Sequence, residues 1–331
     1  MNPVAFRLGW APSRGYPGGM KTVRFLQRGA MWIIAWLLLA GLAWPVQAAK
    51  DDPSVLVLGR ISDDPKRHYE QLKALLDYVL PRMQGTGIRQ GRILMARDAQ
   101  QMASYLRRGR VDWISETAGT SMLLNDRAGA VPLLLTERDG QPRYTTVFFT
   151  RRDSPVRTFA DLPGHTIAFQ NTASTSAYLV PSMVLLEHGV RLEILLSPAD
   201  RPSRDSLGYV FARSEQNIAT WVHKRLVDVG TMSDVDWNNP QAMPRAYRKD
   251  MRLLHRTAAF PRALEMVRSD LDPAVRERLR EVLVQAAADP QAAPTLKRYF
   301  RTTRFLPIDE PTAASLETLR QGVVRVRTEV E

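Results

Sequence analysis

The 331-residue chain contains no cysteine. Disulfide bonds, a thiol nucleophile and thiolate metal sites are therefore excluded, and a lipid anchor on an N-terminal cysteine is not expected. The length allows one large or two medium domains, with ample chain for a buried core. The fold must consequently be held together without covalent cross-links.

Histidine is scarce as well. The five histidines are His68, His165, His188, His223 and His255. None of them forms a two-histidine metal spacing, and no Gly-x-Ser-x-Gly nucleophile turn occurs. We therefore expect no metal, no cofactor and no enzymatic activity.

The first 48 residues contain five basic residues and no acidic one. A basic segment, Met20–Arg28, is followed by an almost wholly apolar run, Ala30–Trp44, and then by the small-residue pattern Val46-Gln47-Ala48. This order is typical of a secretory signal peptide with cleavage after Ala48, which indicates a protein exported to a bacterial periplasm.

The signal peptide is placed at residues 20–48, and residues 1–19 are interpreted as an upstream extension, with Met20 as the alternative start. An uncleaved membrane anchor is the competing interpretation. The apolar run is short for that role, because a membrane-spanning helix usually needs about 18 or more apolar residues.

The positive charge is modest once the N-terminus is set aside. The whole chain has a formal net charge of +12, whereas the chain after position 48 has 41 basic and 34 acidic residues, a net charge of +7. Such a charge suits an anionic ligand or a membrane surface. Nucleic acid is not expected as a partner, because an array of basic and aromatic residues is lacking.

Apolar runs alternate with helical patterns along the chain. Strands are predicted at 54–60, 92–96 and 111–115, and each is followed by a segment with helical spacing. This order predicts an α/β fold with mostly parallel sheets. Ligands bind beyond the carboxyl ends of the strands in such folds.

The segment Ser174-Thr175-Ser176 is the most informative local pattern. It lies between a predicted strand, Thr166–Phe169, and a helical pattern that begins at Tyr178. The first N–H groups of a helix lack intrahelical partners, and the helix dipole adds partial positive charge there, so this turn suits an anion. A plain helix cap is the alternative.

A second hydroxyl-rich turn, containing Thr117, follows the predicted strand at 111–115. Two acids, Asp112 and Asp228, occupy matching positions in Arg-Gly-Arg-Val-Asp and Lys-Arg-Leu-Val-Asp, where each opens a predicted strand. The residues alone leave two interpretations open for these acids: ligand contacts, or acceptors for backbone N–H groups where strands begin.

The order of motifs resembles the phosphate/phosphite/phosphonate-binding proteins of ABC transporters, which are periplasmic receptors. The resemblance covers about residues 54–310. It rests on Val111-Asp112, Arg138-Asp139-Gly140, Arg152-Asp153-Ser154-Pro155, Asp161-Leu162-Pro163-Gly164, Ala168-Phe169, Ser174-Thr175-Ser176, Tyr178-Leu179-Val180-Pro181, Val227-Asp228-Val229-Gly230 and Phe260-Pro261.

This resemblance implies the fold of a type II periplasmic binding protein. Such a fold has two lobes, each a mostly parallel sheet flanked by helices, with the ligand cleft between them. Lobe 1 is expected at residues 49–144 plus 252–331, and lobe 2 at 145–251. The lobes would close on the ligand by a hinge motion.

The resemblance also implies site residues. Ser174, Thr175 and Ser176 match the turn that holds the oxyanion. Tyr144 matches an aromatic position that often faces the ligand, and Asp228 matches an acid that can meet a ligand amine. Thr117 is added from its place at a strand end.

Three positions depart from the family pattern. Ala177 stands where glycine is common, Ala99 where a ligand-binding tyrosine is frequent, and Glu215 where a histidine donor is frequent. A carboxylate near a phosphonate adds like-charge repulsion unless it is protonated or points away.

We therefore predict a monomeric periplasmic solute-binding receptor that captures a small phosphate-, phosphite- or phosphonate-like oxyanion and delivers it to an ABC permease. The alternative is a sensory or accessory module that signals through a membrane sensor protein.

Overall fold

The computed structural model of the protein describes residues 52–331. The predicted upstream extension, signal peptide and membrane anchor lie outside these residues. From residue 52 onward, no helix is long and apolar enough to cross a membrane.

The chain begins with alternating strands and helices. They are β1 (Val55–Ile61), α1 (Pro65–Val79), β2 (Gln90–Ala96), α2 (Ala99–Arg107), β3 (Trp113–Thr117), α3 (Ala118–Ala128) and β4 (Val131–Arg138). Side-chain caps start the first two helices: the Asp64 carboxylate accepts the N–H of Arg67, and the Asp98 carboxylate accepts the N–H of Gln101. The predicted alternation of strand and helix is confirmed here.

A second set of elements follows. It comprises β5 (Arg143–Tyr144), β6 (Thr146–Arg151), β7 (Thr166–Phe169), α4 (Val180–Glu187), β8 (Arg191–Ile194), β9 (Ser206–Phe211), α5 (Glu215–His223), β10 (Val229–Ser233), α6 (Asp234–Asn238), α7 (Arg245–Arg248) and β11 (Met251–Arg256). A π-helical turn, Thr175–Leu179, leads directly into α4.

The chain then returns to the first set. The last elements are β12 (Phe260–Pro261), β13 (Ala263–Val267), α8 (Pro273–Gln285), α9 (Ala293–Arg298), β14 (Thr302–Leu306) and α10 (Glu310–Glu329). Short 3-10 turns lie at Leu80–Arg82, Phe159–Asp161, Ala286–Ala288 and Pro290–Ala292.

These strands form two six-stranded sheets and one small ribbon. The first sheet has the order β14-β4-β13-β3-β1-β2, the second has the order β11-β6-β10-β7-β9-β8, and β12 pairs with β5. Three strands of the first sheet (β2, β1, β3) and four of the second (β8, β9, β7, β10) run parallel. Antiparallel strands complete each sheet where the chain runs back.

The parallel part of the first sheet is covered on both faces. Along β1, Val57 packs into one apolar cluster, whereas Leu56 and Leu58 pack into another. Strands buried on both faces are typical of α/β folds. The predicted fold class, two helix-flanked sheets, is confirmed.

We call the elements around the first sheet the first lobe and those around the second sheet the second lobe. The lobe boundaries at 144/145 and 251/252 stay a prediction. β11 runs across the second of these boundaries and pairs with β6 in the second sheet.

Candidate ligand-binding cleft

A cavity of about 570 Å³ lies between the two sheets. Its walls come from the segments at the carboxyl ends of β1, β3, β4, β7, β9 and β10, which is the expected place for a ligand on such sheets. The predicted site residues Thr117, Tyr144, Ser174, Thr175 and Ser176 all line it.

The turn after β7 is built as a helix start. The Ser174 hydroxyl accepts the N–H of Ala177 at 3.1 Å, and the Ser174 carbonyl accepts the N–H of Leu179 at 2.9 Å. The cap interpretation is therefore correct for Ser174, but its hydroxyl can still donate one hydrogen bond. The N–H groups of Thr175 and Ser176 belong to the first turn, where no intrahelical acceptor exists.

Thr175 uses its hydroxyl to join the two lobes. Its Oγ1 donates to Thr117 Oγ1 at 2.9 Å and accepts the N–H of Gly119 at 2.8 Å. Nearby, Thr120 Oγ1 donates to the carbonyl of Ala173 at 2.6 Å. Thr117 and Thr175 thus lie in the cavity, but their hydroxyls are engaged with each other, so Thr175 can offer a ligand only its N–H.

Tyr144 lies at the back of the cavity and is 7% exposed. Its ring centroid is 4.8 Å from that of Phe260. Burial raises the pKa of Tyr144 to about 12, so the phenol is neutral at physiological pH and retains its proton for donation.

Four arginines of the first lobe, which the sequence interpretation did not select, also line the cavity: Arg60, Arg67, Arg138 and Arg262. The guanidinium carbons of Arg60 and Arg138 lie 4.4 and 4.7 Å from the ring centroid of Phe300. Burial, followed by the charge of Arg60, lowers the pKa of Arg138 to about 10, so this side chain stays cationic near neutral pH.

Arg138 is the last residue of β4, and Arg60 is the last but one residue of β1. Basic residues at the carboxyl ends of predicted strands were the available signal in the sequence. What the sequence does not show is that the loop carrying Phe300 brings the two side chains together.

A buried carboxyl lies next to this arginine group. Glu265 is fully buried, and burial raises its pKa. Its two oxygens accept hydrogen bonds from Trp113 Nε1 (2.7 Å), Ser115 Oγ (3.1 Å), Thr136 Oγ1 (2.9 Å) and Tyr299 OH (2.8 Å). Trp113 is therefore a core residue.

The second lobe contributes two acids to the cavity, Glu215 and Asp236. Burial and the neighbouring Asp236 raise the pKa of Glu215 to about 7. Burial also raises the pKa of Asp236, which hydrogen-bonds Ser233 Oγ at 2.5 Å. The predicted departure at Glu215 thus lies inside the cleft, where it can be protonated near neutral pH.

His68 also lines the cavity without adding charge to it. Burial, together with Arg60 and Arg67, lowers its pKa to about 4, so the imidazole is neutral at physiological pH. Its Nδ1 lies 2.7 Å from Ser62 Oγ.

Asp228 lies outside the cleft, and we withdraw it from the candidate site. Its carboxylate accepts the N–H and the hydroxyl of Thr166, at 2.9 and 3.0 Å, beside the start of β7. Asp112 accepts the N–H of Val57 at 2.9 Å in the same manner. The recurring Val-Asp pattern therefore marks a backbone acceptor in each lobe, which is the second of the two interpretations left open by the sequence.

The structure offers no metal site within residues 52–331, where no group of three or more histidine or acidic side chains is arranged to hold an ion. Of the other departures, Ala99 lines an adjoining cavity, and Ala177 is buried within the turn.

The family model described as "ABC transporter, phosphonate, periplasmic substrate-binding protein" matches residues 60–312. The chain belongs to this family. Members of the family are exported or periplasmic proteins that bind substrates for transporters.

Solved structures agree with this membership. The protein XAC2383 from Xanthomonas citri bound to chloride ion shares 57% identity and a TM-score of 0.81, covering 84% of this chain and 100% of that chain. The same protein bound to ATP shares 56% identity, with the same TM-score and coverage. PhnD1 from Prochlorococcus marinus, in complex with methylphosphonate, shares the fold at 13% identity and a TM-score of 0.63, covering 84% of this chain and 100% of that chain.

Proposed function

We propose that the cleft binds a phosphate-type oxyanion and that the protein delivers this ligand to an ABC permease. One observation carries the proposal. The first-turn N–H groups at Thr175 and Ser176 share a cavity with the cationic side chains of Arg60 and Arg138.

The available donors suit a phosphoryl group. The Ser174 hydroxyl, two backbone N–H groups and the Tyr144 phenol can all donate to oxygen atoms, and the arginines supply positive charge. Each hydrogen bond to a charged group contributes about 1.5–3 kcal/mol, so three or four of them support firm binding. The X. citri relative, which binds a nucleoside triphosphate and an anion, favours the same ligand chemistry.

Calorimetry on the protein purified from the periplasmic fraction tests the binding step. The panel is orthophosphate, phosphite, methylphosphonate and ATP. We expect at least one member to bind and to raise the melting temperature. If the whole panel leaves both heat and melting temperature unchanged, the proposed ligand class is wrong.

A paired substitution tests the turn. Ser174→Ala should weaken binding by roughly tenfold, because one hydrogen bond to an anion is lost. Ser154→Ala is the matched control: its hydroxyl also accepts a backbone N–H, at 3.2 Å from Val156, but it lies away from the cleft. Equal phosphate affinities of Ser174→Ala and Ser154→Ala would show that the Ser174 hydroxyl does not contact the ligand.

Delivery to a permease requires a cellular experiment. Uptake of the ligand that binds in calorimetry is compared in cells with and without the gene. Uptake that depends on the gene supports delivery. Unchanged uptake of a tightly bound ligand would contradict delivery and favour the sensory alternative.

A further inference from the structure

The cleft contains a second group of donors, which comes from the first lobe, whereas the Ser174 turn belongs to the second lobe. We define the arginine subsite as Arg60, Arg138, Arg262 and the ring of Phe300, all of which belong to the first lobe. We propose that the arginine subsite binds a second anionic group of the same ligand, so that the ligand carries two or more linked phosphoryl groups. This inference rests on the proposed function of the cleft.

The first argument is that several donor atoms of these buried arginines lack acceptors. Arg138 is 8% exposed, and its Nε and Nη2 have no hydrogen-bond acceptor. Arg60 is 9% exposed; its Nε has no acceptor, whereas its Nη1 donates to the carbonyl of Ser115 at 2.7 Å. The buried carboxyls Glu116 and Glu265 lie near enough to interact with these charges, but burial raises the pKa of both and so favours their neutral forms. Burying cations whose charge is incompletely balanced is costly, so an arrangement of this kind calls for an anion.

The second argument is the closeness of like charges. Because both guanidinium carbons lie within 4.7 Å of the Phe300 ring centroid, they are at most about 9 Å apart. The charges of Arg60 and Arg262 both lower the pKa of Arg138. The neighbouring Glu265 is already engaged by four neutral donors. An anion between the guanidinium groups relieves this repulsion.

The third argument is backbone strain at the residue that positions the arginines. Phe300 and the following Arg301 have φ angles of +50° and +57°, a left-handed conformation that non-glycine residues rarely adopt. Each such residue costs about 1–3 kcal/mol, and strain of this kind is concentrated at ligand-binding sites. Here it places the Phe300 ring against both guanidinium groups.

The fourth argument is space. The cleft cavity adjoins a second cavity of about 540 Å³, and the two share lining residues, among them Asn171, Ala173 and Arg213. Arg97, Arg127 and Arg327 line the second cavity. A single tetrahedral oxyanion leaves most of this room unused, whereas a linked polyphosphate with a further moiety can extend through it.

Calorimetry with inorganic diphosphate, orthophosphate and methylphosphonate tests the inference. For the unmodified protein we expect diphosphate to bind at least roughly tenfold more tightly than either single-group ligand, because only diphosphate reaches both subsites. Arg138→Gln should weaken diphosphate binding by roughly 100-fold, because a direct contact is lost, and orthophosphate binding by no more than roughly tenfold, because only the attraction of a nearby cation is lost. Arg280→Gln, on the surface of α8 where Arg280 pairs with Glu277, is the matched control.

The outcomes separate the two proposals. If orthophosphate binds through Ser174 but diphosphate binds no more tightly, the arginine subsite is refuted and the proposed function stands. The inference is also refuted if Arg138→Gln weakens both ligands equally. If no phosphate compound binds at all, both proposals fail.

Folding of the variant is checked independently. The melting temperature of the ligand-free Arg138→Gln variant should stay close to that of the unmodified protein, because the desolvation cost of Arg138 is removed together with its attraction to Glu116 and Glu265. Arg262→Gln, at a partly buried position, provides a second variant in case the first does not fold. It should likewise weaken diphosphate binding more than orthophosphate binding.

Two sources of linked phosphoryl groups are distinguished by a last pair of ligands, ATP and inorganic triphosphate. Equal affinities indicate that the phosphate chain alone is recognised. Tighter binding of ATP indicates that the nucleoside occupies the adjoining cavity. In both cases, a loss of ATP and triphosphate affinity in Arg138→Gln supports the arginine subsite. Unchanged affinity for both ligands in that variant refutes the subsite.

Discussion

At the residue scale, Glu215 changes the chemistry of the cleft most. It stands where the family pattern has a histidine donor, and it lies in the cavity beside Asp236. Its pKa is raised from an ordinary value of 4.5 to about 7 by burial and by the charge of Asp236. An ionised Glu215 repels an anionic ligand, whereas a protonated Glu215 can donate a hydrogen bond to it.

This pKa predicts a pH dependence of both stability and affinity. Relative to the unfolded chain, the contribution of Glu215 to stability is complete below pH 4.5 and is lost as the pH rises through about 7. Glu215→Gln should therefore raise the melting temperature and the phosphate affinity at about pH 8, with little effect at about pH 5.

Measuring the ratio of variant to unmodified affinity at each pH cancels the titration of the ligand itself. Glu187→Gln, at an exposed position on α4, is the control and should give a ratio near one throughout. A ratio for Glu215→Gln that does not rise with pH would contradict the role assigned to this carboxyl.

At the element scale, the start of α3 and the turn before α4 meet at Gly119. A Cβ at this position would lie 2.8 Å from Thr175 Oγ1 and 2.9 Å from Leu179 Cδ1. The N–H of Gly119 also donates to that same Thr175 oxygen. The close approach of the two segments therefore depends on the absence of a side chain here.

We expect Gly119→Ala to weaken ligand binding by roughly tenfold, because the inserted methyl group separates the two lobes and disfavours the closed cleft. The measurement is calorimetry with the best ligand of the panel. Thr175→Ala removes the Thr175 atoms that the methyl group would strike and leaves only the contact with Leu179, so the double variant should lose less affinity than the two single variants added together. Additive losses of ligand affinity would show that the methyl group at position 119 does not act through Thr175.

The elements themselves were largely predictable, and the reasons are local. Apolar strands such as Thr166–Phe169, and caps such as Asp98, depend on neighbouring residues in the chain, so their positions could be predicted from the sequence. The Ser174 turn belongs to the same class. The convergence of Arg60 and Arg138 could not be predicted, because it depends on the distant residue Phe300.

Asp228 shows the limit of a motif match. The sequence places it correctly beside the start of a strand, but the motif does not indicate which end of the sheet faces the ligand. The structure places Asp228 at the end of the sheet away from the cleft, where its carboxylate accepts a hydrogen bond from the N–H of Thr166.

At the scale of the whole molecule, the C-terminal helix α10 connects the two lobes. It packs against α3 in the first lobe and α4 in the second. Glu331, two residues after the end of α10, contacts the second lobe as well, since Tyr178 OH donates to Glu331 Oε1 at 2.9 Å. The 20-residue helix therefore opposes separation of the lobes along its length.

Gly322 marks the closest packing of α10. A Cβ there would overlap the Met183 side chain of α4, at 2.6 Å from its sulfur atom. Gly322→Ala should lower the free energy of unfolding by about 1 kcal/mol, because the flexible Met183 side chain can shift and the higher helix propensity of alanine offsets part of the overpacking. Urea denaturation measures this change, and Gln321→Ala, an exposed neighbour on the same helix, should leave the midpoint almost unchanged. An unaltered urea midpoint for Gly322→Ala would show that the contact between α10 and Met183 adjusts to the methyl group without a loss of stability.

The hydrogen bond between Thr117 and Thr175 has a kinetic consequence. These hydroxyls meet between the lobes beside the Ser174 turn, so the lobes separate only when this bond and its neighbours break. If a ligand is held between the lobes, its residence time should therefore depend on the opening rate of the protein as well as on its own contacts. A membrane partner that separates the start of α3 from the Ser174 turn would then release the ligand without contacting it.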